Sequence, residues 1–409
     1  MQLSNLNELS KSEYNKIIKR SGAKIERVLP GVEKIVEDVR KRGDPALREY
    51  TKRFDRAEIS DFRVSEEEFK EARQSVGGEV AGALKRAKKN IEDFHKRQLK
   101  DSWSYRKGRS KLGQIVRPID SVGCYVPGGK ASYPSTVLMA AVPASVAGVE
   151  RIAVTTPPQR DGKVNGAVLM ACDIVGVEEV YKVGGAQAIA ALAFGTKSIP
   201  KVDKVIGPGN VYVTAAKRLV SNEVAIDLPA GPSEVLIIAD TSANPEFVAI
   251  DMEAQAEHDP DACAVLVTTS KKLAETVKNK IENINGKILV ANSIEDAVNF
   301  SNEYAPEHLQ VITKNPVKVL KKIKNAGSIF IGNYTPVACG DYASGTNHIL
   351  PTGGFARAYS GLGVFDFVKF ISVQEFDKAA LEKLSRTIIV LAEAEGLEAH
   401  AESVKRRIK

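Results

Sequence analysis

From about Gly113 onward, short apolar runs alternate with stretches of helical periodicity. IVRPIDSVGCYV, RIAVTT, EEVYKV and KVIG read as strands, and TVLMAAVPASVAG, residues 166–175 and AQAIAALAFG read as the helices between them. A second set begins at Val235 to Ala239, a fully apolar run of the kind covered on both faces in a parallel sheet. Asn244 followed by Pro245 marks a helix start, with Phe247, Val248, Ile250 and Met252 as its packing face and Gln255 and His258 three apart near its end. ACAVLVTT, KILVAN, HLQVIT and GSIFIG follow as strands, separated by helices over KKLAETVKNKIENI, SIEDAVNFSNEYA and PVKVLKKIKNA. Such regular alternation implies parallel, doubly wound sheets.

Before Gly113 the pattern is helical and charge-rich. After Val364 it is one long helix, KAALEKLSRTIIVLAEAEGL, and a basic amphipathic run. The expected class is α/β, with one doubly wound domain inserted in another. Residues 1–22 form a helical arm, 23–115 with 236–363 the larger discontinuous domain, 116–235 the inserted one, and 364–409 a helical tail.

Composition narrows the function. The 409 residues carry a net charge of +7, but its sources are scattered over Lys85–Lys89, His95–Lys111, Lys321–Lys324 and Lys405–Lys409. The first lies in a helix whose Leu84, Ala87, Ile91 and Phe94 share one face, so its lysines are a solvated surface. No nucleic-acid-binding motif accompanies it, and no nucleic-acid partner is expected. No apolar run approaches the roughly 20 residues of a membrane span, and no secretory leader is visible, so no membrane partner is expected. Four scattered cysteines without a C-x-x-C pair indicate reduced thiols and a cytoplasmic location.

Candidate chemistry sits mostly in the second half. Of 5 histidines, His258, His308, His348 and His400 lie there, each with a polar or acidic neighbour. Gln255 and His258 on one helical face could hold a metal ion, or His258 could be an ordinary surface histidine. Asp341 and His348 share the glycine-rich loop GDYASGTNH, where a carboxylate and an imidazole suit zinc or a similar divalent ion. Glu307 and His308 open a strand, whereas open α/β sheets bind ligands at strand carboxyl ends, so their placement counts against a site. Gly128-Gly129, Gly184-Gly185 and Gly207-Pro208-Gly209-Asn210 follow strands and could meet phosphates or simply turn the chain; none fits a dinucleotide or P-loop fingerprint.

Taken together, GCYVPGG, STVLMAAVPASVAG, KVGGAQAIAALAFG, GPGNVYVTAAKR, IDLPAGPSEVLIIAD, QAEHDPD, EYAPEHLQ, GDYASGTNHILPT and EGLEAH closely resemble the histidinol dehydrogenases, over nearly the whole chain. The resemblance implies two Rossmann-like domains with terminal dimerisation segments, and an NAD-dependent oxidation of L-histidinol through L-histidinaldehyde to L-histidine, the last step of histidine biosynthesis, with two NAD consumed. It implies one Zn2+ per subunit on Gln255, His258, Asp341 and His400, in a homodimer whose tails are exchanged so that active sites are shared. Glu307 and His308 then match the catalytic pair, and Ser233, Gln255, His258, Glu307, Asp341, His348, Glu395 and His400 the substrate-binding positions. Tyr125, Gln187 and Asn210 match the cofactor-binding positions. The rival readings are a zinc hydrolase on the same ligands, an oxidation using Cys339 as nucleophile, and a non-catalytic binding protein.

Overall fold

The computed structural model describes residues 1–20, 23–128, 132–228, 231–282 and 284–409. The chain opens with a strand, β1 (Gln2–Asn5), and a helix, α1 (Lys11–Ile18), started by a capping box between Ser10 and Glu13. Helices α2 (Ala23–Arg42), α3 (Asp44–Phe54), α4 (Glu66–Ser75) and α5 (Gly78–Lys96) precede the strands β2 (Trp103–Lys107) and β3 (Ser110–Pro118). The first alternating set is β4 (Ser121–Tyr125), α6 (Pro134–Ala147), β5 (Arg151–Thr156), α7 (Gly166–Val175), β6 (Glu179–Lys182), α8 (Gly185–Phe194), β7 (Lys204–Ile206), α9 (Val211–Val220) and β8 (Ala225–Ile226). The second is β9 (Glu234–Ala239), α10 (Pro245–Ala256), β10 (Cys263–Thr268), α11 (Lys271–Lys278), β11 (Gly286–Val290), α12 (Ile294–Tyr304), β12 (His308–Ile312), α13 (Pro316–Leu320), β13 (Ser328–Ile331) and α14 (Val337–Tyr342). It closes with β14 (Val368–Phe376), α15 (Lys378–Ala394) and α16 (Glu398–Ile408).

Both alternating sets form parallel sheets, ordered β6-β5-β4-β7-β8 and β1-β11-β10-β9-β12-β13. Side chains two apart on a strand share a face. Accordingly, Val235 and Ile237 of β9 pack with α10 and α11, while Leu236 and Ile238 pack with α12. In the five-stranded sheet Val122 and Cys124 enter one core, and Tyr125, Ala153 and Val205 the core on the opposite face. Asn244 caps α10 by accepting from the Glu246 N–H, with Pro245 in the first turn, as the sequence predicts. Val248 and Met252 are buried as expected, but Phe247 and Ile250 face solvent; Ala249 takes the inward position between them. On α5 the same shift occurs at Phe94, which is exposed, while His95 is buried and its Nδ1–H donates to the Ile91 carbonyl.

The packing departs from the expected division of the chain in three places. Residues 1–22 are not wholly helical, because β1 extends the six-stranded sheet beside β11, and Leu6 just after it is buried. The helices of 23–115 do not join the larger sheet: α2 and α3 cover α8 and α9, and α4 and α5 cover α6 and α7. The physical cause is the composition of α6 and α8, apolar on every side and buried along almost their whole length, so a second helical layer must enclose them. Third, β2, β3 and β14 make a separate antiparallel sheet ordered β14-β3-β2, where the pattern before Gly113 and after Val364 reads as mostly helical and only the second half of β3, in IVRPID, falls on an expected strand. α13 is also shorter than the PVKVLKKIKNA pattern suggests. No helix among the described residues is long and apolar enough to cross a membrane.

The segment after α14 fixes how the two parallel sheets meet. The Asn347 side-chain N–H donates to the Met139 carbonyl of α6 at 2.7 Å, and the Asn90 side chain of α5 donates to the Ala343 carbonyl at 2.7 Å. These bonds hold the segment against α5 and α6, and His348 meets Thr136 near the amino end of α6, the helix that follows the carboxyl end of β4. The amino edge of the larger sheet therefore faces the carboxyl edge of the smaller one.

At that edge Gly207 has φ +115°, and a β-carbon there would lie 2.1 Å from the Tyr125 carbonyl oxygen. Gly176 also has positive φ, +93°, but open space around it. Gly207→Ala is therefore expected to lose at least about 2 kcal/mol more stability than Gly176→Ala, because it adds a backbone clash to the strain the two share. Urea unfolding of the two variants checks this; equal losses would contradict the close approach.

Candidate active site

His308 is the first residue of β12 and lies opposite Val235 on one side and Ser328 on the other. It is buried, with Nδ1 3.2 Å from the Glu234 carbonyl oxygen. A carbonyl only accepts, so Nδ1 carries the proton and Nε2 keeps its lone pair. That Nε2 has no hydrogen-bond partner and sits 3.7 Å from Asp341 Oδ1. Burial, aided by the neighbouring His258 and His348, pushes the imidazole down to about 3, so it is neutral when the site is empty. The Glu307 carboxylate lies 3.6 Å from His308 Nδ1 and accepts the Glu234 backbone N–H at 2.8 Å. Burial first, then the nearby Glu234 and Asp341 charges, raise Glu307 well above the usual carboxylate range, against a hydrogen bond from Ser233.

Asp341 is brought in by α14 and raised by burial to about 7. Its Oδ2 is 3.9 Å from His258 Nε2, and its backbone carbonyl accepts the His348 Nδ1–H at 2.9 Å. His348 Nε2 faces the Thr136 hydroxyl of α6 at 3.3 Å, so a residue from the smaller sheet's layer joins the cluster. His258 lies just beyond the end of α10 and remains partly exposed, while Gln255 is buried in the helix's last turn. Neither the oxygen nor the nitrogen of the Gln255 amide has a partner. A buried, unpartnered amide is costly unless something else meets it.

An amide oxygen, an imidazole and a carboxylate suit a divalent ion of intermediate softness. Gln255, His258 and Asp341 fit such an ion as a set, and the orphaned Gln255 amide is the observation that favours it. The set is incomplete in one chain: among the described residues no three His, Cys, Asp or Glu side chains form a metal-holding group. His400 is exposed on α16, and Glu395 is exposed just past α15.

The cofactor positions gather at the carboxyl edge of the smaller sheet. Tyr125 ends β4, Gln187 is buried in the first turn of α8, and Asn210 caps α9. β4 lies between β5 and β7, which the chain reaches in opposite directions, and a crevice at such a switch point is where open sheets bind ligands. Among the described residues the amino end of α8 has no side-chain cap, and only the Gly185 N–H is engaged there, by the Tyr125 hydroxyl at 3.1 Å. Its free N–H groups suit a phosphate-bearing ligand. Gly184 has a packing reason as well, since a β-carbon there would lie 2.5 Å from Pro157, and Gly128 approaches the same proline. Gly129, and Ala230 at the head of the AGPSEV motif, lie outside the described residues.

Thus Ser233, Gln255, His258, Glu307, His308, Asp341 and His348 converge, Tyr125, Gln187 and Asn210 line the facing edge, and Glu395 and His400 stand apart. Sequence reasoning missed Glu234, Thr136 and Arg20. Glu234 carried a signal: a carboxylate heading a fully buried strand must find a cation or several N–H groups.

A family model described as histidinol dehydrogenase matches residues 18–408. A histidinol dehydrogenase of Methanocaldococcus jannaschii is 55% identical, the alignment covering 100% of this chain and 99% of that protein. One from Clostridium acetobutylicum is 47% identical, covering 97% and 96%. The crystal structure of histidinol dehydrogenase from Elizabethkingia anophelis superposes with a TM-score of 0.94 at 42% identity, covering 100% of this chain and 98% of that one.

The raised Asp341 carboxyl has a consequence for the metal-free chain. Its folded-state pKa, about 7, exceeds the ordinary 3.8, so the folded state binds the extra proton and this group's contribution falls as pH rises from about 4 to about 7. Asp341→Asn removes the titration. In chelator, the variant is expected to gain roughly 2–4 kcal/mol over the parent between pH 4 and pH 8. Parallel denaturant titrations at the two pH values measure it, and a pH-independent difference would refute the assignment.

Proposed function

The chain belongs to the histidinol dehydrogenase family, and on that premise we propose that it oxidises L-histidinol through L-histidinaldehyde to L-histidine, the last step of histidine biosynthesis, using two NAD and one Zn2+ per subunit in a cytoplasmic homodimer. The observation that carries this reading is the meeting of Glu307, His308 and Asp341 with a partnerless Gln255 amide between the facing edges of the two sheets.

Gln255, His258 and Asp341, completed by His400 of the partner subunit, are the proposed metal ligands; the ion supplies a fixed point for the imidazole and amino nitrogens of the substrate. Tyr125, Gln187 and Asn210 would hold the nicotinamide cofactor, which would supply the hydride acceptor. Ser233, His348 and Glu395 complete the contacts to substrate. His308 Nε2, with its free lone pair, takes the hydroxyl proton as hydride leaves the carbinol carbon. The aldehyde must then be hydrated, because only a tetrahedral carbon can release a second hydride. Glu307 takes the proton of the attacking water while the His308 imidazolium returns its proton to the aldehyde oxygen, so Nε2 is free again for the second oxidation. The imidazolium made in the first step stands 3.6 Å from the Glu307 carboxyl, and opposite charge at that range favours its ionised form. The hydrate then loses its proton and hydride as the alcohol did.

Purified protein with L-histidinol and NAD should raise the absorbance of reduced nicotinamide, with two equivalents formed per histidinol; a chelator should suppress the rise and added zinc restore it. Absence of any rise in zinc-loaded protein would overturn the assignment. The shared site is tested by mixing. His400→Ala and His308→Ala dimers, each nearly inactive, should recover about a quarter of the parent rate after subunit exchange, because half the dimers are mixed and each holds one intact site. No recovery in proven heterodimers would exclude the exchanged tail.

A further inference from the structure

We propose that Arg20 and Glu234 are positioning residues for the reaction: the guanidinium brought by the N-terminal arm locks the Glu234 side chain, and Glu234 in turn aligns Glu307 and His308. This rests on the reading of Glu307 and His308 given above. The pairing of β9 with β12 begins at Val235 opposite His308, so Glu234 and Glu307 stand one residue beyond the ladder, and no strand pairing fixes them to each other. They are fixed instead by a reciprocal pair of bonds. The Glu234 N–H donates to Glu307 Oε2 at 2.8 Å, and the Glu307 N–H donates to Glu234 Oε1 at 3.3 Å. The same Glu234 residue offers its carbonyl to His308 Nδ1, which sets the tautomer that leaves Nε2 free.

The Glu234 side chain is 3% exposed and so requires its own partners. Its carboxylate accepts the Gly353 N–H at 3.0 Å and forms a two-pronged ion pair with Arg20. Arg20 is held in turn by the Ile18 carbonyl and by the face of the Tyr304 ring, 3.4 Å from its guanidinium carbon. Behind the pair lies a cavity of about 470 Å³, bordered by Arg20, Glu234, Cys263, Lys287 and Tyr304. Lys287 on the cavity wall is engaged by the Gln2 side chain, so without the guanidinium the carboxylate keeps no paired counter-charge beside this space. It turns toward the cavity and releases the Glu307 and Gly353 N–H groups. The cavity also admits a small cation in place of the missing side chain.

The test uses the full-length, zinc-loaded protein. Arg20→Ala is expected to lower kcat about a hundredfold while KM for histidinol and for NAD changes by less than about threefold, since misplaced reacting groups lose rate more than binding. Methylguanidinium, added at concentrations harmless to the parent enzyme, should restore roughly tenfold of that loss. Glu234→Gln, which keeps the shape, should lose kcat similarly without rescue; it serves also if Arg20→Ala does not fold. Ring-nitrogen NMR of His308, identified by its loss in His308→Gln, should show the Nδ1–H tautomer in the parent, its disturbance in Arg20→Ala and its return with methylguanidinium. A folded Arg20→Ala with kcat within twofold of the parent overturns the proposal, as does a loss carried by KM without rescue. If the parent does not oxidise histidinol, the functional reading fails. The His308 spectra then decide this proposal alone: unchanged signals refute it, and signals that shift and return sustain it.

Discussion

A carboxylate at the head of a buried strand governs the architecture around it. Glu234 begins β9, the central strand of the larger sheet, and the hydrophobic run behind it leaves no room for an unmatched charge. Satisfying it draws in Arg20 from the N-terminal arm, the Gly353 peptide from the loop after α14, and the Glu307 peptide from the head of β12. Segments far apart in sequence are thereby tied to one point. A buried ion pair is weak support for stability, because desolvation offsets most of the attraction, but it is a strict geometric constraint. The cluster of titrating groups is assembled on that constraint.

The second constraint is the opposition of the sheets. Ligands of open parallel sheets usually sit at strand carboxyl ends, and for the smaller sheet Tyr125, Gln187 and Asn210 obey the rule. Glu307 and His308 break it, lying at the amino end of β12. The exception follows from the bonds of residues 341–352 to α5 and α6, which place one sheet's amino edge over the other's carboxyl edge. A carboxylate and an imidazole that would be idle in an isolated sheet then face the crevice lined by Tyr125, Gln187 and Asn210. Burial at this seam also accounts for the direction of every shift in the cluster: carboxyls rise and imidazoles fall.

Much of this was legible from local pattern. Strand and helix alternation marked both parallel sheets, and the Asn244-Pro245 start of α10 put Gln255 at its inner end, because caps and periodicity act over a few residues. The antiparallel sheet escaped notice because β2 and β14 are exposed along almost their whole length, and β14 pairs with β3 across more than 200 residues, as Val373 opposite Gly113 illustrates. The layer formed by α2 to α5 escaped for a related reason. Their amphipathic faces say that something is covered, and only the all-round apolar α6 and α8 say what. Motif resemblance supplied Glu307 and His308 where edge placement argued against them. Glu234 lay in one of the quoted stretches and Arg20 in the N-terminal arm, but a pairing across more than 200 residues leaves no periodic trace.

What remains outside the cluster fits the proposed dimer in two respects. Gln255, His258 and Asp341 make an unfinished ligand set, while His400 and Glu395 stand exposed on a tail that packs mainly on itself. Along the same appendage and the antiparallel sheet, Trp103, Phe370, Ile371, Val390, Leu391 and Leu397 are exposed large apolar side chains. Apolar surface of that extent normally meets a partner. The proposed exchanged tail in a twofold dimer would satisfy both needs with one contact, covering the apolar face while bringing the partner's His400 to Asp341. Catalysis and assembly would then be coupled by construction: the chain that folds alone holds the base, the carboxylates and the cofactor edge, and the ligand set closes only on pairing.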